Sequence, residues 1–163
     1  MDFIQLLDHT ICGGLAAAGF AVLFNVGYQT LPWCAASGAL ALAVRTLALG
    51  WGWGLPAASF AAALTVGVVV QLLHSRWGGS HNALAVVGCI PMIPGGIAAK
   101  AILGLFAVAA QHPAVTNETL VTAVENSLRV IFTIGALGTG LALPTFLLGG
   151  RRLKWANMQK NSA

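Results

Sequence analysis

Residues 83–110 read ALAVVGCIPMIPGGIAAKAILGLFAVAA, with Lys100 as the one formal charge. As a single helix this stretch would be about 42 Å long at 1.5 Å per residue, against a bilayer hydrocarbon core of about 30 Å. Its middle, Ile90-Pro91-Met92-Ile93-Pro94-Gly95-Gly96, argues against one helix. Each proline removes a backbone donor and crowds the preceding turn, and the two glycines admit dihedrals that other residues avoid. Irregular backbone at membrane depth survives where protein or a polar cavity surrounds it, and interrupted helices build midplane substrate sites in transporters. A packing kink is the alternative; the paired prolines and glycines favour a functional break. A second half-helix starting near Ile97 would turn free N–H groups and a positive dipole end toward an anion.

The rest of the chain places this stretch in a membrane. Of 163 residues 58% are hydrophobic and 7% charged, against roughly 25% charged in an average soluble domain. No Asp, Glu, Lys or Arg occurs from His9 to Val44 or from Thr46 to Ser75. These numbers exclude a soluble enzyme, a nucleic-acid-binding domain and a disordered linker. Apolar segments fall at 6–26, 31–50, 55–73, 83–110 and 127–149, each long enough to cross a bilayer as a helix. Glycine and alanine run through all of them and let helices approach closely in lipid; Gly14/Ala18 and Ala136/Gly140 are pairs of that kind. Trp33, Trp51, Trp53, Trp77 and Trp155 stand at segment edges, where the indole favours the headgroup region. The expected fold is all-α and integral to the membrane, with about five transmembrane helices, the fourth broken at PxxPGG. Residues 1–150 form a single five-span domain and 151–163 a basic tail.

Charge sets the expected orientation. Net charge is +4, and Arg151, Arg152, Lys154 and Lys160 crowd the C-terminal end. Beside an apolar span this reads as a cytoplasmic anchor. Five spans then put the N-terminus outside and the loop carrying Arg76 inside. A four-span arrangement with 83–110 re-entrant is the alternative. Residues 1–7 carry Asp2 and no basic residue, so a cleaved signal peptide is not expected.

Three cations lie inside apolar segments: Arg45, Lys100 and Arg129. Each costs at least about 2.5–3.5 kcal/mol at the centre of a span, so each needs a reason. Arg129 is four residues from Glu125 and can pair with it on one helix face. Arg45 can meet Asp8, snorkel to the surface, or bind substrate. Lys100 has no acidic residue at its depth and is left for an anionic substrate or a partner chain. Asn25 adds a polar group near the end of the first segment. Cys12, Cys34 and Cys89 lie in separate segments without a CxxC, and His9, His74, His81 and His112 lie near segment ends without HExxH spacing. No metal site, cofactor or catalytic constellation is read from them. No Walker motif is present, so energy coupling through this chain would come from a gradient.

The same residues carry a family likeness over nearly the whole chain. Gly19-Phe20-Ala21, Phe24-Asn25-Val26, Trp33-Cys34-Ala35 with Gly38, Arg45, Ser59-Phe60 with Ala62, Gly67, Ser75-Arg76, Ile90-Pro91-Met92-Ile93-Pro94-Gly95, and Gly135-Ala136-Leu137 with Gly140 and Pro144 resemble the threonine/serine exporter (ThrE) family. The nearest likeness is to the small subunits of its two-component branch. Such subunits look like the C-terminal five-span half of a full-length exporter. The resemblance implies a bacterial inner-membrane protein that works with a larger membrane subunit of the same family. It implies export of succinate and related dicarboxylates, with threonine and serine as the alternative substrates and a purely structural subunit as a further one. Arg45, Pro91, Pro94 and Gly95 fall on family positions. Gly96 and Lys100 do not, and their candidacy rests on the physical argument alone. The substrate or translocation candidates are thus Asn25, Arg45, Pro91, Pro94, Gly95, Gly96 and Lys100. The expected partners are the larger subunit, a small anionic substrate and the lipid bilayer, with no nucleic acid.

Overall fold

The computed structural model describes residues 3–77, 82–110 and 116–160, with side chains for 4–73, 84–110 and 116–147. The described residues contain no strand. They form α1 (Phe3–Leu23), α2 (Leu31–Gly50), α3 (Leu55–Trp77), α4 (Asn82–Cys89), α5 (Gly95–Ala109) and α6 (Asn117–Lys160), with 3-10 turns at Tyr28–Thr30 and Ile90–Met92. By length and composition α1, α2, α3 and α6 each suffice to cross a membrane. α4 with its following turn, and α5, are bent by 56° and make a fifth span if the pair is taken as one.

Local chemistry ends the helices where it does. α1 stops because Asn25 adopts φ +54°, a left-handed conformation that asparagine tolerates better than most residues. The Val26 N–H then donates to the Ala21 carbonyl (2.9 Å) and the Asn25 N–H to that of Val22 (3.0 Å), the paired bonds of a Schellman cap. Gly52, at φ +83°, does the same for α2. There the Trp53 N–H reaches the Ala48 carbonyl (3.1 Å) and the Gly52 N–H that of Leu49 (3.0 Å). α6 begins at a reciprocal cap, the Thr119 N–H donating to Thr116 Oγ1 (3.3 Å) and the Thr116 N–H to Thr119 Oγ1 (3.5 Å). Its start lies ten residues before the apolar segment expected at 127–149, and it runs without a break past residue 150. Glu118 and Glu125 limit the apolar segment but not the helix, since glutamate is a good helix former.

Small residues hold the helices together. A Cβ on Gly38 would run into Ala17 Cβ and would stand 2.7 Å from the Gly13 carbonyl, so α1 and α2 touch backbone to backbone. The largest buried cluster joins Ala41 of α2, Ala62, Ala63 and Val66 of α3, Ala85 and Cys89 of α4, Met92 and Leu137. α2 is the central helix, packed on α1, α3 and α4.

The register of α3 on α6 decides the topology. Gly140 approaches Ala63 and the Phe60 carbonyl, and Gly67 approaches Pro144. Higher numbers on one helix meet higher numbers on the other, so the two run parallel. An open apolar groove of about 780 Å³, lined by Trp53, Pro56 and Phe60 with Ile131, Phe132 and Thr139, continues that register to the start of α3. The C-terminal end of α3 and the N-terminal end of α6 therefore lie at opposite ends of the bundle. Leu55 is level with roughly Ile131, so residues 117–130 carry α6 about 20 Å past the first turn of α3. α5 packs chiefly on this extension, where a Cβ on Gly104 would stand 2.7 Å from Ala123 Cβ. Leu103 (70% exposed), Phe106 (72%) and Val121 (64%) leave the resulting helical hairpin openly apolar.

Candidate functional site

α4 is clamped on α2 just before the break. Gly88 faces Ser37 so closely that a Cβ would collide with the Ser37 hydroxyl. That hydroxyl donates to the Cys34 carbonyl at 2.8 Å and lies 3.1 Å from that of Leu84. Residues 37 and 84–88 are thus side by side, and α2 and α4 run parallel. One to two turns further along each helix, the same register brings Arg45 to the Ile90–Met92 turn.

At that turn the two prolines have rearranged the backbone bonds. The Ile93 N–H donates to the Ile90 carbonyl (3.0 Å), the Gly95 N–H to that of Ile93 (2.8 Å) and the Ala98 N–H to that of Pro94 (2.9 Å). In an uninterrupted helix the Met92 carbonyl would accept from the Gly96 N–H. Here Arg45 Nη1 donates to it instead, at 2.7 Å. The Met92 side chain is fully buried, so the carbonyl is a fixed anchor. Arg45 is half-buried, and its Nε is buried without a hydrogen-bond partner. Nε and Nη2 form the side-on edge of a guanidinium, the edge that takes a carboxylate with two parallel bonds. The protein thus holds Arg45 by one nitrogen and leaves its anion-binding edge untaken.

The break contributes a second anion-favouring feature. α5 begins at Gly95 behind Pro94, which caps it without a side-chain bond. Gly95 and Gly96 are exposed with open space where a Cβ would stand. The Gly96 and Ile97 N–H groups have no backbone acceptor among the described residues, and free N–H groups at a helix start favour negative charge.

Of the sequence candidates, Arg45, Pro91, Pro94, Gly95 and Gly96 come together at the break. Lys100 does not join them in the interior; it is exposed on α5. Asn25 sits at the opposite end of the bundle, where its backbone caps α1; the 14 residues between Leu31 and Arg45 separate the two levels by about 20 Å. The pairing considered for Asp8 and Arg45 is not formed. Asp8 is exposed, and the one ion pair among the described residues is Glu125–Arg129 at 2.9 Å. That pair matches the four-residue spacing and is largely solvent-exposed, on the extension of α6. No three His, Cys, Asp or Glu side chains gather among the described residues.

Sequence reasoning missed the Arg45–Met92 bond, which joins positions 47 apart. It also missed Ser59, a fully buried serine of α3 whose hydroxyl has no partner among the described residues.

The family model described as threonine/serine exporter, ThrE, matches residues 9–147, from the second turn of α1 through the apolar part of α6, with Arg45 and the break inside it. No solved structure matches the chain. The matched region takes in part of the first candidate span and the whole of the others, which is what a multi-pass membrane transporter requires. The chain belongs to the threonine/serine exporter (ThrE) family.

Proposed function

We propose that the chain is the small, YjjB-like subunit of a two-component exporter of small carboxylates, succinate and related dicarboxylates foremost. A larger, YjjP-like subunit of the same family supplies the other half, in the bacterial inner membrane. The observation that carries this reading is the Nε–Nη2 edge of Arg45, unbonded among the described residues while the Met92 carbonyl holds Nη1. One carboxylate of the substrate takes that edge. The free N–H groups at the start of α5 suit a second carboxylate. The acidic side chains described, Asp8, Glu118 and Glu125, are all exposed, so none is buried at the break to pair an ammonium group. Threonine and serine export is the second reading, favoured by the description of the family; in it the carbonyls of the broken backbone receive the ammonium group.

The need for a larger subunit is supported by the α5–α6 hairpin, which leaves Leu103, Phe106 and Val121 exposed beyond the first turn of α3. The parallel register of α3 and α6 supports five spans, with the α4–α5 pair as the fourth. Residue 76 and residues 151–154 then lie at one end of the bundle, and the positive-inside rule makes that end cytoplasmic. The N-terminus is external. Reporters fused at residue 79 and at the C-terminus are expected to report the same, cytoplasmic side; opposite sides would remove the five-span reading.

Transport is tested in cells lacking both subunits. Co-expression of this chain with the larger subunit is expected to restore succinate efflux well above threonine efflux, and neither chain alone is expected to do so. Threonine efflux without succinate efflux would select the second reading. Efflux by this chain alone would contradict the two-subunit assignment.

A further inference from the structure

Two buried polar side-chain atoms lack a hydrogen-bond partner among the described residues: Arg45 Nε and Ser59 Oγ. Buried polar groups in folded proteins are nearly always bonded, so each exception asks for an explanation. A helical serine ordinarily bonds back to the carbonyl one turn earlier. Two other buried hydroxyls follow that pattern: Ser37 donates to the Cys34 carbonyl at 2.8 Å and Thr133 to that of Arg129 at 2.6 Å. Ser59 is 0% exposed and does not.

The two exceptions stand at one level of the α2–α3 hairpin. α2 and α3 form an antiparallel hairpin closed by residues 51–54. Ala41, Ala62, Ala63 and Met92 belong to one buried cluster that includes both helices. Arg45 is four residues after Ala41, and Ser59 is four before Ala63 and three before Ala62. Residues three or four apart share a helix face. Both orphans therefore stand one turn beyond the same layer, toward the 51–54 turn, at the level where the Met92 carbonyl holds Arg45.

We propose that Ser59 is a second, specificity-determining donor of the anion site, its hydroxyl completing the hydrogen bonds of a carboxylate seated on the Nε–Nη2 edge of Arg45. This rests on the reading of Arg45 as the carboxylate-binding cation. A carboxylate offers about four lone-pair sites; the guanidinium edge takes two, and a hydroxyl donor from the neighbouring helix takes a third. The ligand class that an unbonded guanidinium edge and an unbonded hydroxyl select together is a small carboxylate.

The test uses proteoliposomes containing both subunits, with succinate and threonine as probes. Ser59→Ala is expected to raise the half-saturating succinate concentration on the order of tenfold, the size of one hydrogen bond to a charged group. The maximal rate should stay within about twofold, and Ser59→Thr should recover most of the affinity. The unfolding midpoint of Ser59→Ala in detergent should be unchanged or higher, because an unpaired buried hydroxyl has been removed. A second readout places a thiol at the site in a Cys12→Ser background. Modification of Ser59→Cys by an anionic methanethiosulfonate is expected to slow when succinate or threonine is present. Unchanged half-saturation in Ser59→Ala, or a lowered midpoint with unchanged half-saturation, would overturn the proposal. Modification indifferent to both probes would do the same. If Ser59→Ala behaves as wild type while Arg45→Ala is inactive, the serine is removed from the site and the reading of Arg45 stands. If Arg45→Ala keeps wild-type affinity, that reading fails as well.

Discussion

Export by an Arg45→Ala variant is expected to fall at least about a hundredfold, while the chain continues to insert and to associate with its partner. The two halves of that expectation have different causes. An arginine inside a span costs at least about 2.5–3.5 kcal/mol on insertion scales, so losing it does not impair insertion. Its one hydrogen bond among the described residues runs from Nη1 to the Met92 carbonyl, and losing that returns one carbonyl to whatever water reaches the break. The substrate has no such compensation. A carboxylate brought to a half-buried site without its cation is an uncompensated charge, and breaking a buried ion pair by removing one partner costs about 3–5 kcal/mol. That is about two to four orders of magnitude in affinity. Arg45→Lys keeps the charge but has no planar edge. Its ammonium must serve the Met92 carbonyl and the substrate as a single point charge, and a loss of at least about tenfold is expected. Efflux rate per membrane-inserted subunit, with co-purification of the partner, reads both halves. Wild-type export by Arg45→Ala would remove Arg45 from the pathway.

The parts of this structure legible in the sequence are those set by short-range chemistry. Pro91, Pro94 and Gly95 act on their own turn, and a reader of residues 90–96 needs no other part of the chain to see that a straight helix stops there. The turn around Trp51-Gly52-Trp53 is of the same kind, since Gly52 supplies the positive φ on which α2 ends. The pairing of Glu125 with Arg129 follows from the helical repeat alone. Arg45 is different. Nothing in its neighbourhood says that its partner is a main-chain carbonyl 47 positions away, and a search for charge complementarity turns to Asp8, which faces away. A carbonyl is invisible to such a search because every residue has one; what singles out Met92 is that the break removed its usual donor. Ser59 is silent for a similar reason. Among the alanines of α3 it reads as one more small packing residue, and its missing hydrogen bond exists only in three dimensions. The start of α6 is not legible in apolarity, because charged residues that end an apolar segment do not end a helix. Residues 117–130 are helical, their start capped by Thr116 and Thr119.

The second large effect concerns the break itself. Replacing Pro91 and Pro94 together by alanine is expected to lower export at least about tenfold by straightening residues 82–109. Each proline in a helix interior is disfavoured by about 3 kcal/mol relative to alanine and each glycine by about 1. In the native chain the two prolines and two glycines together oppose a helix by about 8 kcal/mol. In the double variant only Gly95 and Gly96 remain, opposing it by about 2, which the ordinary hydrogen bonds of an apolar segment in lipid exceed. The restored donors complete the ladder, with residue 91 reaching the Val87 carbonyl and residue 94 that of Ile90, which the Ile93 N–H now occupies at 3.0 Å. The Gly96 N–H then claims the Met92 carbonyl. Arg45 loses its anchor and α5 loses the free N–H groups that face an anion. Pro94→Ala alone should act less, because Pro91 still interrupts the ladder. Spin labels at the exposed positions Val86 and Phe106 report the geometry. Straightening the 56° bend lengthens their helix-axis separation by about 3 Å. A longer separation with reduced export ties the anion site to the broken backbone. A longer separation with wild-type export would leave the break a packing feature, and Arg45 would have to bind its substrate without the Met92 carbonyl.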